Sequence, residues 1–220
     1  MNWQAVFFDF DGVIVDSASI KTKAFAAMFR PFGDAVEKAV VAYHLEHQGI
    51  SRFDKFRYFY EHILQKPLDD QKLAELGNDF SKLVLQAVIN APYMPGAMET
   101  LIELKSMNIP AYIVSGTPEE EIRYVVKKKD LTLFFLDVLG SPKKKDEIIH
   151  EILRAEDYLP SKCLFIGDAL TDYAAAHKEG IEFLGIVMDG MDSPFPHGTW
   201  VSQIVTANRL KYDLKNGLLF

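Results

Sequence analysis

A single cysteine stands in this chain of 220 residues, so Cys163 has no intrachain disulfide partner and no second thiol to give a metal-binding spacing. No apolar run approaches the roughly 20 residues that cross a bilayer. The N-terminus lacks the basic start, long apolar middle and small-residue cleavage site of a secretory signal. Basic side chains are outnumbered 24 to 31, the formal net charge is −7, and no Lys/Arg stripe breaks that balance, which argues against non-specific nucleic-acid binding. Repeats and low-complexity segments are also missing. The expectation is a soluble cytoplasmic protein, monomer or homodimer, with no membrane or nucleic-acid partner. Its 49% apolar residues are enough for one sizeable core, or one core and a smaller satellite.

The first informative segment, Ala5-Val6-Phe7-Phe8-Asp9-Phe10, is apolar at nearly every position and predicts a strand covered on both faces. Similar runs return at Ala111 to Val114, Val138-Leu139, Cys163 to Ile166 and Phe183 to Val187, with a weaker sixth at Trp200 to Val205. Helical stretches separate them at Met98 to Met107, Glu119 to Lys128, Asp146 to Leu153 and Asp172 to Lys178. This alternation predicts an α/β fold with a doubly wound parallel sheet. The interval from Ser17 to about Pro92 breaks the pattern. Phe53, Phe56, Tyr60, Ile63 and Leu64 share one helical face, as do Leu73, Leu76, Phe80, Leu83, Val84 and Ala87. Ile20, Ala24, Ala27 and Met28 predict a further helix, and Val36, Ala39, Val40 and Tyr43 another. The domain reading is a core of 1–16 and 95–220, interrupted by a helical cap of 17–94.

In an open α/β sheet, ligands bind beyond the carboxyl ends of the strands. Asp9-Phe10-Asp11-Gly12 follows the first strand, Ser115-Gly116-Thr117 the second, and Gly167-Asp168 through Asp172 the fourth. Four carboxylates and a hydroxyl thus converge on one sheet edge. Two like charges 4 Å apart repel by about 4 kcal/mol at an effective dielectric near 20, so the cluster needs a cation. Oxygen donors without His or Cys fit Mg²⁺. The Ser-Gly-Thr turn, followed by a helix start at Pro118 or Glu119, offers amides and a hydroxyl to a phosphoryl group. Lys145, before the helix that opens at Asp146, can reach the same edge and offset repulsion between an anionic nucleophile and a phosphate dianion.

These motifs resemble those of the haloacid dehalogenase superfamily of phosphohydrolases: Asp9-Phe10-Asp11-Gly12-Val13-Ile14-Val15-Asp16 after a strand, then Ser115, a lysine, and Gly167-Asp168 through Asp172. The helical insertion looks like that family's small cap, and Gly49-Ile50-Ser51-Arg52 resembles the Gly-x-Ser-Arg turn of caps in the β-phosphoglucomutase branch, which also has phosphoglycolate phosphatases as neighbours. The resemblance implies that Asp9 attacks phosphorus to form an aspartyl-phosphate. Asp11 then protonates the leaving alcohol and afterwards deprotonates water, with a pKa above that of Asp9, which the metal keeps ionised. It implies Mg²⁺ on Asp9, the Asp11 carbonyl and Asp168, with Asp172 ligating through water or orienting its neighbours. Ser115, the Gly116 amide and Lys145 hold the phosphoryl group, and Arg52 contacts substrate. The second aspartate favours phosphate esters over halides, because a halide leaving group needs no proton. The expected substrate is a small phosphorylated metabolite, such as a sugar phosphate or a phosphoglycolate-like ester.

Plainer readings stand beside these. Ser115 also suits a helix cap, Asp168 and Asp172 suit first-turn acids, and Arg52 suits an exposed first-turn residue. Within Lys143-Lys144-Lys145, Lys143 competes with Lys145 for the site. A calcium loop fails because Val13 stands where an oxygen ligand is required. Lys21 occupies a position where resembling proteins carry His, which weakens a mutase-like proton relay. His44 and His47 read as cap surface or packing, Phe53, Phe56 and Tyr60 as core, and Gly190 to Gly198 as a loop. Two other functions remain open: a phosphomutase gripping a second phosphate at Arg52, and a catalytically idle protein whose cap binds a partner.

Overall fold

The computed structural model describes residues 3–208; the part of the expected core domain beyond 208 lies outside the described residues. Six strands pair in parallel: β1 (Ala5–Phe8), β2 (Ala111–Pro118), β3 (Asp137–Ser141), β4 (Cys163–Gly167), β5 (Glu182–Ile186) and β6 (Val201–Ser202). Their order across the sheet is β3-β2-β1-β4-β5-β6. The chain therefore runs outward from β1 to one edge, then returns to the other side of β1. That reversal opens a crevice at the carboxyl ends of β1 and β4, where open sheets bind ligands.

The continuous apolar runs are explained by two covered faces. Ala5 and Phe7 point into one layer with Tyr112, Val114 and Phe165, packed under α7 (Lys145–Ala155) and α8 (Leu170–Glu179). Val6 and Phe8 point into the other with Ile113, Leu164 and Ile166, under α5 (Ala97–Ser106) and α6 (Glu119–Lys128). The predicted sixth strand shrinks to two residues, pairing only Gly185 with Val201 and Ile186 with Ser202.

Four helices, α1 (Ala18–Phe29), α2 (Asp34–Glu46), α3 (Arg52–Tyr58) and α4 (Asp70–Asn90), intervene between β1 and α5. The segments that leave and rejoin the sheet lie side by side. The Asp16 amide donates to the Pro92 carbonyl at 2.9 Å, the Met94 amide donates to the Ile14 carbonyl at 3.0 Å, and Val15 bridges Tyr93 antiparallel. Phe25, Phe29, Phe56, Phe59 and Phe80 fill the centre of the block, with Phe25 and Phe80 centroids 4.4 Å apart.

Three details depart from the helical periodicities. In α4 the buried stripe is Leu73, Gly77, Phe80, Val84 and Val88, whereas Leu83 and Ala87 face solvent. Gly77 belongs to that stripe because Phe53 packs where its side chain would stand; a Cβ there would meet Phe53 Cε1 at 2.5 Å. In α1 the buried residues are Ala24, Phe25 and Phe29, with Ala27 exposed. The helix read over 53–64 is α3 followed by a π-helical stretch, Phe59–Leu64, whose wider turn buries Phe59 beside Tyr60. Among the described residues no helix is long and apolar enough to cross a membrane.

Candidate active site

Each predicted chemical residue sits at the carboxyl end of a strand or the first turn of the helix that follows. Asp9, directly after β1, is buried; its Oδ1 accepts from the Phe10 amide at 2.7 Å and its Oδ2 lies 2.9 Å from Lys145 Nζ. Lys145 opens α7 and is buried between Asp9 and Asp172, whereas Lys143 is half exposed and pairs with Glu151. The geometry thus brings Lys145 rather than Lys143 to the sheet edge. Asp172, fully buried in the first turn of α8, accepts from Lys145 through Oδ1 and from the Ala169 amide at 3.0 Å through Oδ2. It therefore fastens both the helix start and the lysine. Asp168 lies in the loop before α8, outside the helical turn that its plainer reading required. Ser115 is buried at the end of β2, and its hydroxyl accepts from the Thr117 amide at 3.1 Å.

Carboxylate oxygens of Asp9, Asp168 and Asp172 lie within 4.8 Å of one another. Gly12 makes this approach possible: its φ is +78°, and a Cβ would meet Asp168 Oδ2 at 2.1 Å. Burial pushes Asp9 up to about 6, helped by the Asp172 and Asp11 charges and opposed by the Lys145 ammonium. Burial likewise raises Asp168, with the charges of Asp9 and Asp172 adding to it. Burial would lower Lys145, but Asp172 and Asp9 more than reverse that and raise it. A group of acids that resists ionisation, with oxygen donors only, fits a small hard divalent cation such as Mg²⁺.

Asp11 behaves differently. Its carboxylate accepts from Ser17 Oγ at 2.6 Å, from Thr117 Oγ1 at 3.2 Å and from Lys21 Nζ, which also donates to Thr117 Oγ1 at 2.8 Å. Burial alone would raise Asp11, but the Lys21 ammonium and these donors hold it below the usual carboxylate range. In the metal-free protein Asp9 therefore sits above Asp11, whereas the sequence expectation concerns Asp9 kept ionised by a bound cation. The reason is the lysine at position 21, which puts a fixed positive charge against the second aspartate.

The helical block forms the roof. The Gly49-Ile50 turn presses between the end of β2 and the start of α8: a Cβ on Gly116 would meet the Gly49 carbonyl oxygen at 2.3 Å, and one on Gly49, at φ +80°, would meet Thr171 Oγ1 at 2.0 Å. Thr171 Oγ1 donates to the Gln48 carbonyl at 2.9 Å. Ser51 caps α3, accepting from the Phe53 amide at 3.3 Å. Arg52 is buried, so the exposed first-turn reading is corrected. Its guanidinium donates to Ser81 Oγ at 2.8 Å and to both carboxylate oxygens of Glu121 on α6, one at 3.0 Å, and lies 4.7 Å from the Phe80 ring centroid. This fork-to-fork pair clasps roof to sheet. Glu121→Gln is expected to destabilise by roughly 3 kcal/mol, the scale for stranding one partner of a buried pair. Thermal melting checks this, and adding Arg52→Met should recover much of the loss.

The cavity between sheet and roof measures about 60 Å³ and is lined by Asp9, Asp11, Ser115, Gly116 and Asp168 from the sheet side. Lys21, Arg52, Lys55 and His44 line it from the roof. Sequence reasoning missed Lys55, which is buried and bonded to His44 Nδ1 at 2.7 Å. The available signal was a lysine one residue before the core Phe56, on an otherwise aromatic face.

A reversing parallel sheet that gathers buried aspartates around one lysine, closed by a helical roof, defines a hydrolase of the open α/β class. The chain belongs to the haloacid dehalogenase-like hydrolases, whose family model matches residues 3–180. It is 24% identical over 199 residues to a phosphoglycolate phosphatase of Pseudomonas savastanoi pv. phaseolicola, an alignment covering 80% of this chain and 66% of that protein. It thus spans just under two thirds of that relative's length. It is 23% identical over 204 residues to the 6-phosphogluconate phosphatase of Escherichia coli K12, covering 88% of this chain and 87% of the relative. Among solved structures, β-phosphoglucomutase from Clostridium difficile shares the fold with a TM-score of 0.73 at 19% identity, covering 98% of this chain and 96% of that one.

Proposed function

We propose that this protein is a cytoplasmic, Mg²⁺-dependent phosphatase that hydrolyses a small phosphate monoester through an aspartyl-phosphate on Asp9, with residues 17–94 acting as a cap over a core of 1–16 and 95–220. The observation that carries it is the convergence of the Asp9, Asp168 and Asp172 carboxylates within 4.8 Å beside Lys145, with a cavity lined by Asp9 and Asp168 under the helical roof.

Asp9, Asp168 and the main-chain carbonyl of Asp11 would hold the ion, with Asp172 acting from behind by orienting Lys145. Bound Mg²⁺ supplies the charge that keeps Asp9 ionised and polarises the phosphoryl oxygens. Ser115 and the Gly116 amide bind the remaining oxygens, and Lys145 offsets repulsion as Asp9 attacks phosphorus. Asp11 hands a proton to the departing alkoxide, then takes one from the water that hydrolyses the acyl-phosphate. A bound dianion competes with Asp11 for the Lys21 ammonium, and releasing Lys21 lets Asp11 rise and carry the proton it must donate. Hydrolysis is favoured over phosphoryl migration because Arg52, the residue a mutase needs for a second phosphate, is already engaged with Glu121 and Ser81. The phosphoglycolate and 6-phosphogluconate phosphatases among the relatives support a short phosphorylated acid as substrate.

The test follows the protons. Asp9 holds its proton up to about pH 6 in the fold, against 3.8 ordinarily, so raising pH through that window forces a buried charge and lowers the stability of the metal-free protein. Cation binding needs the ionised form. Added Mg²⁺ should therefore raise the melting temperature more at about pH 7.5 than at about pH 5. Mg²⁺ should also support hydrolysis of 4-nitrophenyl phosphate, and EDTA should reverse both effects. A pH-independent metal shift, or turnover indifferent to EDTA, rules the reading out.

A further inference from the structure

Three cations of the helical block line the cavity over Asp9, and two of them are neutralised in place: Lys21 by Asp11, Arg52 by Glu121. Lys55 is not. It is 3% exposed, and among the described residues no carboxylate lies within ion-pair reach of it. Its ammonium meets His44 Nδ1 at 2.7 Å and stands 5.5 Å from the Phe25 ring centroid.

His44 does not supply a charge either. Burial, then the ammonium groups of Lys55 and Lys21, push it down to about 3, so it is neutral. A chain of hydrogen bonds fixes its tautomer. Thr22 Oγ1 spends its proton on the Ala18 carbonyl at 3.2 Å, so His44 Nε2, 3.1 Å from that hydroxyl, must donate, and Nδ1 is left as a lone pair for Lys55. The ammonium thus has one neutral acceptor and further N–H groups to spend in the cavity. A buried cation without a counter-charge is costly: it either sheds its proton or is stabilised by an anion that enters the cavity. Burial, Lys21 and Lys145 together push Lys55 down to about 7, as expected for an ammonium short of negative charge.

We infer that Lys55 is the specificity-determining residue of the roof, binding a second anionic group on the alcohol portion of the substrate, with His44 as its positioning residue. This rests on the phosphatase reading above. Lys55 lines the same cavity of about 60 Å³ as Asp9, so the second anion it meets lies close to the ester.

Three esters of equal chain length separate the possibilities: phosphoglycolate (carboxylate tail), 2-hydroxyethyl phosphate (neutral tail) and ethane-1,2-diol bisphosphate (phosphate tail). The wild type should favour one anionic tail over the neutral one by roughly 10- to 100-fold in kcat/KM, the scale of a charge-assisted hydrogen bond, and which tail wins identifies the anion. In Lys55→Met that preference should fall by at least about tenfold while the melting temperature holds or rises, because an uncompensated buried charge has been removed. His44→Ala should lose much of the preference through KM, and His44→Asn, which keeps an acceptor, should restore part of it. An undiminished anionic preference in Lys55→Met overturns the inference, as does a wild-type preference for the neutral tail. A lowered melting temperature with equal losses on all three esters also overturns it, by marking Lys55 as a packing residue. Failure of the phosphatase reading looks different: the wild type then hydrolyses none of the three in a Mg²⁺-dependent way.

Discussion

Asp9→Asn lowers kcat by about 10⁴-fold or more on every phosphate ester, the scale on which removal of a nucleophile from a concerted site is felt. The effect is this large because the neighbouring carboxylates are committed elsewhere, Asp168 to the ion in the proposed mechanism. Asp172 is held at both oxygens by Lys145 and the Ala169 amide, and Asp11 is tied to Ser17, Lys21 and Thr117. The variant should remain folded, because the amide is isosteric and removes one member of a mutually repelling group. Steady-state hydrolysis and a melting curve on the same preparation decide the matter. A folded variant keeping even a tenth of wild-type turnover would disqualify Asp9 as nucleophile.

Asp11→Asn has the second largest effect, and its size depends on the leaving group. Alkyl phosphates depart as poor alkoxides and need the proton, so kcat/KM on them should fall by roughly 10²- to 10⁴-fold, the range for a lost general acid. 4-Nitrophenolate leaves without help, so the first half-reaction survives. The second does not, because the same side chain activates water. The variant should therefore release about one equivalent of nitrophenolate per site and then stall, with phosphate retained on the protein after acid quench. Equal losses on both esters with no burst would remove Asp11 from the proton chemistry.

The sheet and the acidic edge were legible because each depends on local pattern. β1, β2 and β4 are buried on both faces, so apolar continuity marks them, and the residues after them fall at the crevice by topology alone. Lys145 and Lys143 could not be separated in sequence, since a shift of two residues at a helix start decides which one enters the core and which meets Glu151. Contacts made across long stretches of chain were not legible at all. Arg52 finds Glu121 only when roof and sheet meet, and Gly77 looks like a helix defect until Phe53 lies on it. Lys55 was hidden for a related reason. A lysine on an amphipathic helix is ordinarily solvated, and only the placement of α1 and α2 walls it in with His44. The hold of Lys21 on Asp11 was hidden in the same way, because that ammonium arrives from another element.

The paired segments at Ile14–Asp16 and Pro92–Met94 have a mechanical consequence. Two tethers stitched by crossed amide–carbonyl bonds bend readily as a ribbon but resist twisting and lateral sliding. Any displacement of the four helices they carry would therefore be confined to one arc, with the Gly49 turn seated between Gly116 and Thr171 at its end. Registration of roof to sheet is thus a property of the two strips of backbone at Ile14–Asp16 and Pro92–Met94, set before any ligand arrives.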